Sequence, residues 1–148
     1  MTMTPLRRLE GVSYWVIEDS DEIYNFVNTN IRKEWEADVR SVGEDPLNDP
    51  WLRTLSGRKW RLDITDVNRV KLSAKVMSHV DVERGYVFAE SLRRRREELR
   101  KSIEMYDVVI WPIILREEDF GLVDGYCRCT VLREMDVSRI YAYLGRSH

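Results

Sequence analysis

The order of apolar patterns from residue 88 onward is the feature that most constrains the fold of this chain. Residues 88–106, FAESLRRRREELRKSIEMY, carry apolar side chains at helical spacing and arginines on the other faces. Residues 108–117, VVIWPIILRE, and residues 120–124, FGLVD, are short apolar runs that predict strands. Residues 127–135 predict a second helix and residues 138–145 a last strand. This order predicts an α/β (α+β) fold, a small mixed sheet with flanking helices.

The part of the chain before residue 88 predicts two further strands and a helical extension. Residues 59–67 and 69–82 both alternate apolar and polar side chains, as half-buried strands do. The first 57 residues begin with a weak strand pattern over 10–18 and continue as a helix over 19–41 with Asp19 as its cap. A short helix is predicted from Asp49 and Pro50 to Gly57. We therefore expect a mainly helical extension over 1–57 and a second domain over 58–148.

Composition excludes several classes of protein. The formal net charge is −2, so no overall field attracts nucleic acid or an anionic membrane. The two cysteines and two histidines cannot by spacing alone build a zinc site. No apolar run is long enough to span a bilayer, and the N-terminus lacks the apolar region of a secretory signal. We expect a cytoplasmic protein without a membrane partner.

The stretch GLVDGYCRC, residues 121–129, is the strongest candidate site in the chain. It predicts a strand, a tight turn at Gly125 and the start of a helix, where the amides of Tyr126 to Cys129 would be free to bind an anion. Arg128 adds a guanidinium suited to phosphate, and Asp124 can orient a metal, a hydroxyl or an arginine. The alternative is a structural turn in which Arg128 forms a salt bridge.

The wider sequence around this stretch resembles the ParB/sulfiredoxin-like superfamily. The likeness covers residues 88–144 and lies in three short motifs: Ser102 with Ile103, Pro112 with Ile113, and Asp124-Gly125-x-x-Arg128. The resemblance implies a ParB/sulfiredoxin-like fold with a nucleotide phosphate site. Gly125 and the amides of Tyr126, Cys127, Arg128 and Cys129 would cradle phosphate, Arg128 would clamp it, and Asp124 would place Mg²⁺ or an acceptor.

The resemblance also implies ligands and partners. It predicts ADP, ATP or CTP with Mg²⁺, together with an unknown small-molecule or protein acceptor of the phosphoryl group. The corresponding activity is that of a small-molecule kinase or a nucleotide triphosphatase or diphosphatase. The alternative is a non-catalytic, ParB-like binding module of a DNA-associated or regulatory complex, for which nucleic acid is a partner.

Two departures from the superfamily pattern limit the predicted chemistry. Cys127 stands where many members have histidine, and Tyr126 stands where sulfiredoxin has its reactive cysteine, so we do not expect sulfinic-acid reduction. Without a histidine, an acceptor hydroxyl needs a carboxylate base. The candidates are Asp124, Glu83 and Glu90. Cys127 is either a small packing residue or a thiol whose pKa is lowered by the helix N-terminus and Arg128.

Overall fold

The computed structural model describes residues 5–41, 43, 45, 55, 57–77, 80–81 and 86–147. Its strands are β1 (Leu6–Leu9), β2 (Val12–Trp15), β3 (Arg58–Asp66), β4 (Val80–Asp81), β5 (Tyr86–Val87), β6 (Val109–Ile110), β7 (Ile113–Arg116), β8 (Leu122–Asp124) and β9 (Arg139–Ser147). Its helices are α1 (Ser20–Phe26), α2 (Arg32–Ser41), α3 (Ala74–Met77), α4 (Phe88–Tyr106) and α5 (Tyr126–Glu134). A π-helical turn, Val27–Ile31, joins α1 to α2, and a 3₁₀ turn, Val67–Arg69, follows β3.

A four-stranded mixed sheet organises the molecule, in the order β3-β9-β7-β8. Strand β9 is antiparallel to β3 along its whole length and parallel to β7, and β8 is antiparallel to β7. Alternate residues of β7 and β9 point to opposite faces, as strand geometry requires. Ile114 and Tyr143 pack with α1 and the π-helical turn, whereas Leu115 and Leu144 pack with α4 and α5. The predicted α/β fold with a small mixed sheet and flanking helices is confirmed.

A three-stranded sheet, β1-β2-β6, is built from the N-terminus and the strand after α4. β1 and β2 form a hairpin, and β2 runs parallel to β6. The sequence predicts one strand over 10–18. It does not predict β1, because the residues of β1 are mostly exposed and show no alternation of apolar and polar side chains. Val12, Tyr14 and Val16 belong to the cluster that α4 and α5 cover. The domain boundary near residue 57 stays a prediction.

Two strand predictions were wrong in detail. Residues 69–82 do not form one strand, because Arg133 binds the carbonyl oxygens of Val67 and Val70, and the amide of Ser73 donates to the hydroxyl of Tyr126. Lys71 forms an isolated parallel bridge with Gly121 beside β8, and α3 follows. The apolar run over 108–117 is two strands, β6 and β7, which belong to different sheets.

The long helices agree well with the sequence. α4 covers the predicted residues, and the carboxylate of Asp19 caps α1 by accepting from the amide of Glu22 at 3.0 Å. The predicted helix over 19–41 is present but contains the π-helical turn. The short helix predicted from Asp49 to Gly57 lies mostly outside the described residues. None of the helices described here has both the length and the apolar character that crossing a membrane requires.

Candidate phosphate site and adjoining cleft

The turn between β8 and α5 depends on a glycine. Gly125 has φ +110° and ψ 31°, a conformation that L side chains rarely adopt. A Cβ atom here would lie 2.7 Å from Cγ2 of Ile113 and 2.9 Å from Nη2 of Arg128. The missing side chain therefore permits the backbone turn and leaves room for Arg128 to fold back toward the end of β8.

The first amides of α5 are open donors. No side chain among the described residues caps this helix, and its first helical hydrogen bond runs from the amide of Cys129 to the carbonyl oxygen of Gly125 at 2.9 Å. The amides of Tyr126, Cys127 and Arg128 therefore have no acceptor within the helix. The expectation that the amide of Cys129 also stays free was wrong, because this bond uses it.

The guanidinium of Arg128 is already engaged by internal acceptors. Its Nη2 atom lies 2.8 Å from Oδ2 of Asp124, and its Nη1 atom donates to the carbonyl oxygens of Trp111 at 2.9 Å and Pro112 at 3.2 Å. Both members of the ion pair are partly buried, with 18% of the Arg128 side chain and 25% of the Asp124 side chain exposed. The structural salt bridge that the sequence left as an alternative is therefore present.

Two arginines of α4 lie close to α5. The pKa of the Cys127 thiol is raised overall, because burial outweighs the opposing effect of the positive charges on Arg95, Arg128 and Arg96. The raised pKa favours the packing interpretation of Cys127 over a reactive thiolate. Arg96 pairs with Glu134 at 3.2 Å, and the Arg95 guanidinium lies 5.6 Å from the ring centre of Phe88. The sequence assigned the arginine run mainly to solvent, and packing of α4 on α5 brings two of its members here.

Tyr126 and Cys129 direct their side chains into the core. Tyr126 is buried against Phe88 in an edge-to-face contact at 5.7 Å between ring centres, and burial raises the pKa of its hydroxyl. Cys129 is fully buried, and burial raises the pKa of its thiol as well. At the turn, Tyr126 can therefore offer a ligand only its backbone amide.

The structure describes two of the three candidate bases, Asp124 and Glu90. Asp124 ends β8 beside Gly125. Glu90 is exposed in the first turn of α4, and it is not among the described residues that line the cleft beside Asp124. Glu83 lies outside the described residues. Nor do three or more His, Cys, Asp or Glu side chains of the described residues gather as metal ligands, so Asp124 is a single candidate ligand for Mg²⁺.

A cleft of about 570 Å³ adjoins the Asp124–Arg128 pair. Its walls come from α1, the π-helical turn and the start of α2 on one side, and from Trp111 and Pro112 on the other. Phe26 and Trp111 stack at its edge, with ring centres 4.9 Å apart and planes inclined by 28°. No local sequence pattern predicts this cleft, because its walls come from segments far apart in the chain.

Comparison with known proteins finds similar solved structures, among them two ParB N-domains. No protein-family model matches the chain, and no curated protein matches it. One form of a Pnob8-like ParB-N domain is similar at TM-score 0.43 and 16% identity, over 60% of this chain and 30% of that chain. A pNOB8-like ParB N-domain is similar at TM-score 0.42 and 15% identity, over 62% and 29%. The chain thus spans about 30% of the first structure that it matches. Both are ParB N-domains, and the likeness concerns the backbone fold alone.

Proposed function

We propose that this chain is a nucleotide-binding protein that holds phosphate at the N-terminus of α5. The observation that carries the proposal is the group of three uncapped amides, at Tyr126, Cys127 and Arg128, next to a guanidinium. Free amides and the positive end of the helix dipole both favour an anion at this position. Arg95 adds positive charge near Cys127, whereas Arg96 is paired with Glu134.

Asp124 has two roles in this proposal. Without metal, its carboxylate occupies one Nη2 position of Arg128 and so competes with an incoming phosphate. With Mg²⁺, the carboxylate can turn to the metal, because hard cations prefer oxygen ligands and bridge nucleotide phosphates. Arg128 keeps its bonds to the two carbonyl oxygens in both states, so the guanidinium stays in place.

Phosphoryl transfer or nucleotide hydrolysis is the second candidate. Asp124 is the residue that favours it, since this carboxylate lies at the end of the phosphate-binding turn. Glu90, the other described candidate, is exposed in the first turn of α4 and does not line the cleft beside Asp124. We therefore place binding first, because Asp124, the candidate base beside the turn, is paired with Arg128.

The test is calorimetric titration with ADP, ATP and CTP, each with and without Mg²⁺. Arg128→Ala should weaken binding at least tenfold, because it removes the cation beside the free amides. Arg133→Ala is the matched control: this arginine of α5 also binds backbone carbonyl oxygens, but at the other end of the helix. It should bind nucleotide as the wild type does, provided that circular dichroism shows both variants folded.

Two results would contradict the proposal. Arg133→Ala should differ from the wild type only in stability, so an equal loss of nucleotide binding in both variants would assign the effect to folding rather than to phosphate. Absence of nucleotide heat together with retention of a DNA duplex in a gel-shift assay would favour the DNA-associated module instead. The exposed residues Arg93, Arg94 and Arg95 of α4 are the surface on which that module would depend.

A further inference from the structure

We infer that the cleft beside the Asp124–Arg128 pair receives the planar heteroaromatic base of the nucleotide. The inference rests on the proposed function and names the part of the ligand that the α5 turn does not hold. Neither the sequence motif nor the superfamily resemblance points to this cleft, because half of its lining comes from residues 26–34.

The size and floor of the cleft suit a ring. Its volume of about 570 Å³ lies within the range of small-molecule sites. Ile31, Pro112 and Ile114 are buried and give it an apolar floor. Phe26 and Trp111, which stack on one another at the edge, are each only partly buried. Aromatic side chains with accessible surface are the usual partners of nucleobases in proteins.

The charges in the cleft favour a neutral group over a second phosphate. Lys33 and Arg128 contribute two positive charges to the lining, and Glu34 and Asp124 contribute two negative charges. A balanced lining offers no net attraction to an anion, in contrast to the end of α5. A ring that carries hydrogen-bond donors and acceptors, without net charge, is the ligand that such a lining accommodates.

Asn30 supplies the polar group best suited to a base edge. It lies in the π-helical turn, its side chain is exposed, and it lines the cleft. A side-chain amide offers one acceptor and two donors, which match the neighbouring donor and acceptor atoms of a base edge. Single π-helical turns are frequent at functional sites because they widen the helix locally.

The cleft and the phosphate site are continuous through one ion pair. Asp124 and Arg128 line the cleft, and the same two residues flank Gly125 at the start of α5. One nucleotide can therefore contact both regions, with its phosphates at the amides of α5 and its base between the π-helical turn and Trp111.

The experiment compares a nucleotide with inorganic pyrophosphate, which has no base. ATP, CTP and pyrophosphate are titrated calorimetrically into the wild type, Asn30→Ala and Asn25→Ala. Asn25 is an exposed asparagine of α1 that does not line the cleft, so it controls for the loss of an amide from the same helical segment. We expect Asn30→Ala to weaken at least one of the nucleotides fivefold or more and to leave pyrophosphate unchanged. Asn25→Ala should change neither.

The remaining outcomes separate the two proposals. If pyrophosphate binds but neither nucleotide binds more tightly, and Asn30→Ala changes nothing, the cleft does not hold the base and the phosphate site stands. If Asn30→Ala weakens pyrophosphate equally, Asn30 acts on phosphate and the inference is overturned. If no ligand binds the wild type, the proposed function fails and the inference fails with it. Trp111→Phe, which keeps an aromatic ring, should retain more nucleotide affinity than Trp111→Leu.

Discussion

Replacing Gly125 by alanine tests the geometry on which the phosphate site depends. A non-glycine residue at φ +110° carries backbone strain of roughly 1–3 kcal/mol. The new Cβ would also lie 2.7 Å from Cγ2 of Ile113, which is 2% exposed and has little room to move. Overpacking of this kind costs roughly 1–3 kcal/mol. The two effects together predict a loss of roughly 2–6 kcal/mol in the free energy of unfolding.

Two other glycines separate strain from overpacking. Gly11 also has a positive φ, +81°, but an added Cβ there meets no described atom within 4 Å. Gly11→Ala therefore carries strain alone, and Gly57→Ala, which has open space and no positive φ, carries neither. The assay is thermal unfolding followed by circular dichroism, in which 1 kcal/mol corresponds to about 2–4 °C for a chain of this size.

We expect Gly125→Ala to unfold roughly 5–20 °C below the wild type and clearly below Gly11→Ala. Gly57→Ala should stay close to the wild type. Equal midpoints for Gly125→Ala and Gly11→Ala would refute the close approach of Ile113 and Arg128 to the turn. In that case the guanidinium would not lie over Gly125, and the phosphate site as described would be wrong.

Three further predictions follow from the ionisable groups. Asp124→Asn should tighten metal-free pyrophosphate binding by about fivefold, the equivalent of about 1 kcal/mol, because the competing charge beside Arg128 is removed; in titration calorimetry, weaker metal-free binding would contradict this. The bidentate bond from Arg58 lowers the pKa of Glu118 to about 2 from an ordinary value of 4.5. The ionised carboxylate therefore stabilises the fold above pH 4.5, and this stabilisation is lost as the pH falls toward 2. Because Glu118 is partly exposed, acid denaturation of Glu118→Gln should show a loss of stability over this pH range that is smaller than that of the wild type by only about 1 kcal/mol. Burial raises the pKa of Cys127, so alkylation of this thiol by iodoacetamide should be slow at pH 7 and should accelerate as the pH rises above 9. Mass spectrometry measures the extent of labelling, and fast labelling at pH 7 would show that the thiol is a thiolate instead.

Long periodic segments were predictable from the sequence, and short segments held by tertiary bonds were not. The apolar stripe of α4 fixes a helix without help from neighbours, and its predicted bounds match. Pro112, which has no amide N–H for a sheet ladder, indicates a strand edge or start within residues 108–117, but no local pattern shows that the two parts join different sheets. In the structure, the carbonyl oxygens of Trp111 and Pro112, between the two strands, accept hydrogen bonds from Arg128. Arg128 lies seventeen residues after Trp111 and sixteen after Pro112, so no local pattern reveals these bonds.

The candidate site was predictable in its local part only. The strand, glycine turn and helix start follow from residues 121–129, and the structure has all three. The engagement of Arg128 by Asp124 was one of two alternatives, and no local pattern could choose between them. The cleft and the approach of Arg95 were not predictable, because both depend on how α1, the π-helical turn and α4 pack around the sheet.

The most direct test of the central claim is an amide nuclear magnetic resonance titration of the wild type with pyrophosphate. The claim predicts that the amide signals of Tyr126, Cys127 and Arg128 shift together along one saturating curve, because their N–H groups donate to the bound phosphate. The amide of Cys129, which donates to Gly125, should shift less. Saturable binding that leaves the first three signals unchanged would contradict the claim, as would the absence of any shift at concentrations up to the solubility of the ligand.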